Sequence, residues 1–197
     1  MRITICAKVL LVGACTMAGL AARGQSQSEA ELPPASLEVA VTYDLSNANL
    51  VAGNRFWLQG GSVQLHSQFW HGLGVVADVA GLHTANANSS GVGLDLVTVT
   101  FGPRYTWSPA HRRLSLFGQA LVGEANGLNS IFPSFTGADA SAQGLAIQVG
   151  GGINWPLTRH ISARGVEADW LRTQLPNSTT NVQNNLRIGT GLVYRFQ

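Results

Sequence analysis

Apolar residues alternate with small or polar residues along most of the chain from Leu37 onward. This two-residue period is that of a β-strand with one apolar face, because successive side chains of a strand point to opposite sides. In the clearest segment the apolar face carries Leu186, Ile188, Leu192, Tyr194 and Phe196. The pattern predicts strands at about 37–44, 56–67, 72–83, 94–107, 113–124, 144–155, 161–172 and 185–196.

The predicted connections alternate in length along the chain. Long ones lie near 45–55, 84–93, 126–143 and 173–184, and short ones lie near 68–71, 108–112 and 156–160. An even number of strands of about ten residues, with short turns at one end and longer loops at the other, is typical of a barrel that crosses a membrane. We therefore predict an all-β fold, an eight-stranded antiparallel up-and-down transmembrane β-barrel over residues 37–197.

The aromatic residues fall into two groups along the predicted strands. If both ends of the barrel sequence lie on the inner side of the membrane, Tyr43, Trp57 and Trp170 lie near the outer ends of their strands. The aromatic residues near the inner ends are Trp70, Trp107, Trp155, Tyr194 and Phe196. Two such girdles are typical of a barrel whose amphipathic rings meet two lipid interfaces. The alternative is a soluble β-sandwich, which would expose polar rather than apolar rows.

The first 24 residues have the features of a secretory signal peptide. Arg2 and Lys8 supply a positive region, and residues 9–22 form an apolar stretch that is too short to span a bilayer. The small residues of the segment 22–24 provide a cleavage site. A lipoprotein signal ending at Cys15 is the alternative.

Removal of this segment changes both the charge and the cysteine content. Without residues 1–24 the chain has nine arginines, no lysine and ten acidic residues, which gives a net charge of −1. We therefore predict no basic surface for nucleic acid. Both cysteines, Cys6 and Cys15, lie in the signal segment, so the mature chain has no disulfide or thiol chemistry. Residues 25–36, which are polar and contain Pro33-Pro34, are predicted to form an extended periplasmic leader.

Eight strands enclose a lumen just wide enough for side chains to fill. The inward parity assigns to it Glu38, Asp78, Arg104, Arg187 and Arg195. In the seventh segment Arg164 has the opposite parity to Glu167 and Asp169, and a one-residue bulge near 165–166 would turn all three inward. Four acids and four arginines then predict a salt-bridged polar plug, because buried charges need partners. A gated proton or ion path is the alternative.

The chain ends with the segment Gly191-Leu192-Val193-Tyr194-Arg195-Phe196. It resembles the C-terminal assembly signal of the eight-stranded outer-membrane barrel superfamily, which includes OmpA-type transmembrane domains, OmpX-like proteins and opacity-type antigens of the porin family. The resemblance implies an outer membrane of the Gram-negative type, with outer-membrane lipid and lipopolysaccharide as partners. It also implies that the barrel assembly machinery recognises Gly191, Tyr194 and Phe196. Gln197 departs from the pattern, because it follows the usual terminal aromatic residue.

The remaining residues offer little catalytic chemistry. No pair among the five histidines has metal-ligand spacing on one strand, so we predict no metal site and no cofactor. The segment His160-Ile161-Ser162 resembles the His-x-Ser motif of lipid A deacylases. It lies at the inner end of a strand, however, whereas the active site of that family faces the outer leaflet.

We therefore predict a non-enzymatic protein with a structural or surface-interaction role in the cell envelope, acting through its four long loops. A narrow channel for small solutes or ions and a lipid A-modifying hydrolase are the alternatives. The third loop contains Ile131, Phe132, Pro133 and Phe135. These apolar residues form either a binding surface or a cover over the mouth of the barrel.

Overall fold

The computed structural model describes residues 36–49, 55–87, 91–108, 114–134, 137–177 and 180–196. The predicted signal peptide, nearly all of the predicted leader, His111 and Phe135 lie outside these ranges. The strands are β1 (Ser36–Ala48), β2 (Phe56–Trp70), β3 (Leu73–Thr84), β4 (Leu94–Trp107), β5 (Ser115–Ser134), β6 (Gly137–Pro156), β7 (Ile161–Thr173) and β8 (Gln183–Phe196). The described residues contain no helix that is long and apolar enough to cross a bilayer.

The eight strands form one closed antiparallel sheet in chain order. β1 closes the barrel against β8, and Glu38 pairs there with Arg195. The predicted all-β fold with eight up-and-down strands is therefore confirmed. A sandwich of two packed sheets is excluded, because every strand has a neighbour on both sides of a single sheet. We call the end with both termini of the sheet, Ser36 and Phe196, the inner end, and the opposite end the outer end.

The outer surface of the barrel is a belt of exposed apolar side chains. It includes Val41, Val63, Val75, Val79, Val99, Phe101, Val122, Val149, Ile188 and Leu192. The predicted outer girdle residues Tyr43, Trp57 and Trp170 are all exposed. The predicted inner girdle residues are exposed as well, namely Trp70, Trp107, Trp155, Tyr194 and Phe196. An apolar belt between two aromatic girdles is the surface that a bilayer requires of a barrel.

The predicted bulge in β7 is confirmed. On the β8 side the register moves from Arg164 opposite Gly191 to Glu167 opposite Gly189, so two residues of β7 face one of β8. Gly165 is not needed there for steric reasons, because a Cβ atom at this position would touch only the carbonyl oxygen of Ile153, at 3.9 Å. The bulge therefore places the side chains of Arg164 and Glu167 on the same, inward side of β7, and the bulge does not depend on a glycine at position 165.

The expectation of a long loop over 126–143 is wrong. β5 continues to Ser134 and β6 begins at Gly137, so residues 126–134 and 137–143 form the two paired strands of a β-hairpin, here called the outer hairpin. Residues 129–131 bulge out of β5, and Asn129 adopts a positive φ of 56°. Its side-chain amide donates a hydrogen bond to the carboxylate of Asp95 on β4, which holds the bulge. Strands inside a bilayer alternate apolar lipid-facing residues with polar inward residues. The outer hairpin lies beyond the barrel strands, so its sequence lacks this alternation and did not predict a strand.

Candidate functional site

All eight charged residues predicted for the lumen lie on inward positions of their strands. Seven are buried, namely Glu38, Asp78, Arg104, Arg164, Glu167, Asp169 and Arg187. Arg195 lies at the inner mouth, where its side chain is 46% exposed. Six of these residues form one hydrogen-bonded network with several glutamines, and Glu38 and Arg195 form a separate polar group at the inner mouth.

Arg187 is the cation of the first part of this network. Its Nη2 atom lies 2.5 Å from Oδ2 of Asp78 and 3.1 Å from Oδ2 of Asp169. The amide of Gln148 donates a further hydrogen bond of 3.2 Å to Asp78. Because Asp78 is on β3 and Asp169 on β7, this one guanidinium on β8 links opposite walls of the barrel.

A second part of the network surrounds Gln64 of β2. Its side-chain oxygen accepts hydrogen bonds from Arg104 at 2.5 Å and Arg164 at 2.6 Å, and its amide donates to Glu167 at 2.8 Å. Arg164 also pairs directly with Glu167 at 2.8 Å. Gln119 accepts from Nε of Arg104 at 3.0 Å and donates to Glu167 and Asp169 at 2.9 and 3.1 Å. Gln119 thus joins this part to the first.

The third part lies at the inner mouth. Glu38 accepts from Arg195 of the neighbouring β8, with an Nη2–Oε1 distance of 2.6 Å. On its other side it contacts Nδ1 of His66 of β2, at 3.2 Å. The three residues form a row across adjacent strands, with only Arg195 substantially exposed to solvent.

Phe117 and two glycines shape the space between these charges. The guanidinium groups of Arg104 and Arg164 lie 4.4 and 4.6 Å from the centre of the Phe117 ring, which is cation–π geometry. A Cβ atom on Gly152 would lie 2.8 Å from Cζ of Phe117, and one on Gly150 would overlap Oδ1 of Asp169. The glycines of β6 therefore leave room for the ring and for the carboxylate.

Luminal residues that were not predicted from the sequence include Asp44, Gln64, His66, Gln119 and Gln148. With Asp44 the lumen contains five acids rather than four, and this carboxylate accepts from the Thr42 hydroxyl at 3.0 Å. The alternation of inward and outward positions along β2 could have identified two of them, because Gln64 and His66 lie two and four residues after the inward Ser62.

The outer half of the lumen contains an apolar cluster beside the buried polar residues Thr173, Gln183 and Asn185. Its buried cluster comprises Ala48, Phe56, Leu58, Leu82, Ala87, Leu94, Leu96, Ala125, Phe132, Ala146, Leu171 and Leu175. Phe132 folds back from the outer hairpin over Gly127, where a Cβ atom would overlap its ring. The ring of Phe132 thereby covers the mouth of the barrel, whereas Ile131 beside it is exposed. Phe132 thus fits the interpretation as a cover, and a binding surface at Ile131 remains a prediction.

Comparison with known proteins finds similarity in structure but not in sequence. No protein-family model and no curated protein matches the chain. Ail, the attachment invasion locus protein of Yersinia pestis, superimposes with a TM-score of 0.56 at 17% identity, over 82% of this chain and 99% of Ail. A second Ail structure, in complex with the heparin analogue sucrose octasulfate, gives 0.55 at 17% identity with the same coverage. Neisserial surface protein A gives 0.55 at 12% identity, over 82% of this chain and 97% of that protein.

The fold is that of the eight-stranded outer-membrane β-barrels. The predicted resemblance to this superfamily is therefore confirmed at the level of the fold. In this outer-membrane barrel the proposed assembly residues lie at the inner end of β8, where the rings of Tyr194 and Phe196 are 4.8 Å apart in edge-to-face contact. Gly191 pairs with Thr42 of β1 at the barrel closure. Recognition by an assembly machinery remains a prediction.

The hydrolase motif does not form a catalytic pair in the barrel. Nδ1 of His160 contacts the carbonyl oxygen of Arg195 at 3.2 Å, and its ring stacks on Tyr194 with 6.1 Å between centroids. These contacts attach His160 to β8 rather than to Ser162, which begins the inward row of β7. A serine nucleophile needs a base within hydrogen-bond distance. Among the residues that the structure describes, no group of three metal-ligating side chains occurs either.

Proposed function

We propose that this outer-membrane protein is a non-enzymatic surface protein whose outer hairpin contacts material outside the cell. The observation that carries the proposal is the extent of the hairpin beyond the barrel. Pairing of β4 with β5 ends at Asp95 opposite Leu128, and pairing of β6 with β7 ends at Ala146 opposite Thr173. Residues 129–134 and 137–144 therefore project as a two-stranded structure that the barrel does not need for closure.

The filled lumen favours this role over that of a channel. Arg187 reaches from β8 to β3 and β7, and Gln64 of β2 contacts Glu167 of β7, so side chains bridge the interior from wall to wall. The apolar cluster with Phe132 then covers the outer half. An ion crossing the barrel would have to break the salt bridges and also enter an apolar region, and both steps are costly.

The charge of the outer end indicates the kind of partner. The described charged side chains near this end include three carboxylates, Asp95, Glu124 and Asp139, and two arginines, Arg55 and Arg172. Ail has been crystallised with a sulfated heparin analogue. A polyanion needs a cluster of basic residues, and the described outer end offers no such cluster. We therefore propose that the partner is neutral or basic. The apolar belt contacts outer-membrane lipid and lipopolysaccharide, and Gly191, Tyr194 and Phe196 serve as the assembly signal.

The proposal is tested by removing the hairpin while keeping the barrel. In the trimmed variant an Asn-Gly turn replaces residues 129–140 and joins Leu128 directly to Ser141, which already face each other. Bacteria that display the full or the trimmed protein are compared for adhesion to epithelial monolayers and to neighbouring cells. We expect the trimmed variant to fall to the level of cells without the protein.

The control for this experiment is the state of the barrel itself. Both proteins should show the same change in gel mobility on boiling, because the barrel strands are retained. Adhesion that is equal for the two folded proteins would overturn the proposal. If the trimmed protein does not show the mobility change, and so does not fold, the adhesion assay uses Ile131→Ser instead. This substitution removes the exposed side chain of Ile131 and leaves the buried Phe132 in place.

A further inference from the structure

The turn between β6 and β7, residues 157–160, is a basic segment at the inner end of the barrel. The amides of Leu157 and Thr158 both donate to the carbonyl oxygen of Ile161, each at 2.9 Å. The hydroxyl oxygen of Thr158 accepts from the amides of His160 and Ile161, at 3.3 and 3.0 Å. These hydrogen bonds close the turn, and Arg159 within it is exposed.

The same turn is attached to the end of β8. The carbonyl oxygen of His160 accepts from the amide of Arg195 at 2.7 Å, and Nδ1 of His160 contacts the carbonyl oxygen of Arg195 at 3.2 Å. The imidazole ring also stacks on Tyr194, with 6.1 Å between the ring centroids. The backbone that carries Arg159 is therefore held against the barrel wall.

Apolar side chains adjoin this turn on the lipid-facing surface. The side chain of Leu157 is 60% exposed, and Trp155, Ile161 and Tyr194 on the adjoining strands are exposed as well. Trp155 and Tyr194 belong to the inner aromatic girdle, and such girdles lie at the level of the lipid head groups. The guanidinium group of Arg159 therefore lies close to the head groups of the leaflet at the inner end.

No carboxylate of the described inner end is left to balance Arg159. The acidic residue there is Glu38, which is buried and already paired with Arg195. The three inner turns, residues 71–72, 108–114 and 157–160, contain arginine or histidine but no aspartate or glutamate. The outer end, by contrast, carries the three carboxylates described above. The inner end thus offers positive charge to the membrane without nearby negative charge.

We propose that the turn between β6 and β7 binds the phosphate group of an anionic phospholipid through Arg159. The guanidinium group donates charge-assisted hydrogen bonds to the phosphate oxygens, and Nε2 of His160 donates as well when its ring is protonated. The acyl chains lie along the exposed side chains of Leu157 and Trp155. A zwitterionic phospholipid is bound less well, because its ammonium group meets a surface with positive charge and no carboxylate.

The test measures which lipid lies beside the turn. A variant that retains Trp155 as its one tryptophan is placed in phosphatidylcholine nanodiscs with a minor fraction of phosphatidylglycerol. Either lipid carries brominated acyl chains, which quench the fluorescence of a nearby tryptophan. We expect phosphatidylglycerol to be enriched about fivefold beside Trp155, since one arginine near an anionic lipid surface contributes about 1 kcal/mol.

Three arginine variants identify the group responsible. Arg159→Gln should remove the enrichment, whereas Arg159→Lys should retain most of it because the cation is retained. Arg55→Gln is the matched control, since it removes an exposed arginine at the outer end that donates to Asn47. This control should leave the enrichment beside Trp155 unchanged. Raised salt should weaken the enrichment in the unchanged protein, as it does for exposed charges.

Equal quenching by the two brominated lipids overturns the inference, and so does an enrichment that persists in Arg159→Gln. An equal loss in Arg159→Gln and Arg55→Gln also overturns it, because the preference would then reflect the net charge of the protein. If the single-tryptophan protein lacks the mobility change on boiling, the arginine variants are compared with all tryptophans present. Native mass spectrometry then counts the phosphatidylglycerol molecules retained, and Arg159→Gln should retain fewer than Arg55→Gln; equal numbers overturn the inference.

This inference is independent of the proposed function, because the turn and the outer hairpin lie at opposite ends of the barrel. Arg159→Gln should therefore leave adhesion unchanged, whatever the trimmed hairpin does.

Discussion

Replacement of Arg187 by methionine removes the cation that two buried carboxylates share. Asp78 and Asp169 lie 2.5 and 3.1 Å from its Nη2 atom, and none of the three residues is more than 2% exposed. Methionine roughly fills the stem of the arginine but leaves both carboxylates without their counterion. Breaking one buried ion pair costs about 3–5 kcal/mol. Since Gln148 and Gln119 still donate hydrogen bonds to the carboxylates, we expect the free energy of unfolding to fall by about 4 kcal/mol.

The assay is urea unfolding of the barrel in phospholipid vesicles, followed by tryptophan fluorescence and by gel mobility. The midpoint should fall while the slope with urea stays the same, because the surface exposed on unfolding is unchanged. Arg172→Met is the matched control. Arg172 is on the outward row of β7 near its outer end, and its Nε atom is buried without a hydrogen-bond partner among the described residues. Its loss should change the free energy of unfolding by about 1 kcal/mol or less, as for a cation near the membrane interface.

The cause of the loss is tested by removing the unpaired charges. Adding Asp78→Asn and Asp169→Asn to Arg187→Met should restore most of the stability, since no uncompensated charge remains. If Arg187→Met costs no more than Arg172→Met, the luminal salt bridges do not stabilise the barrel, and the reasoning is refuted.

Two further predictions concern the wall and the interior of the barrel. Gly150→Ala should lower the urea midpoint, because the new methyl group would overlap the Asp169 carboxylate. Gly165→Ala in the β7 bulge should leave the midpoint unchanged, because a Cβ atom there meets no close neighbour. A lower midpoint for Gly165→Ala than for Gly150→Ala would contradict the description of both sites. In planar bilayers the protein should show no stepwise single-channel conductance. Stepwise currents that disappear on Arg104→Met would instead favour the channel.

The strands could be predicted from the sequence because lipid imposes alternation on them. In β4, for example, Val97, Val99 and Phe101 face outward and alternate with small or polar inward residues, and β4 was predicted with its observed bounds. The outer hairpin has no such constraint. Residues 137–143 are small and polar on both faces, so the strand was not recognised.

The candidate site could be predicted only where the inward row is charged. Arg104, Arg187 and the residues of the β7 bulge were identified because a charge facing lipid is costly. The apolar half of the lumen was missed for the opposite reason. Leu58 and Leu82 face inward, whereas Gln59 and His83 beside them face outward, so apolar residues no longer mark the lipid-facing row at the outer ends of β2 and β3.

The lumen differs between its inner and outer halves, so the two ends of the barrel are chemically different. The charged half begins at the inner mouth with the partly exposed Arg195, and the outer half is closed by leucine side chains and the Phe132 ring. The exposed charged residue of the lumen, Arg195, therefore faces the inner compartment. A change of salt outside the cell acts on the hairpin and on exposed charged groups of the outer end such as Arg55, while the same change on the inner side acts on the salt bridge between Glu38 and Arg195. The protein thus presents each compartment with a different chemistry although it is a single sheet.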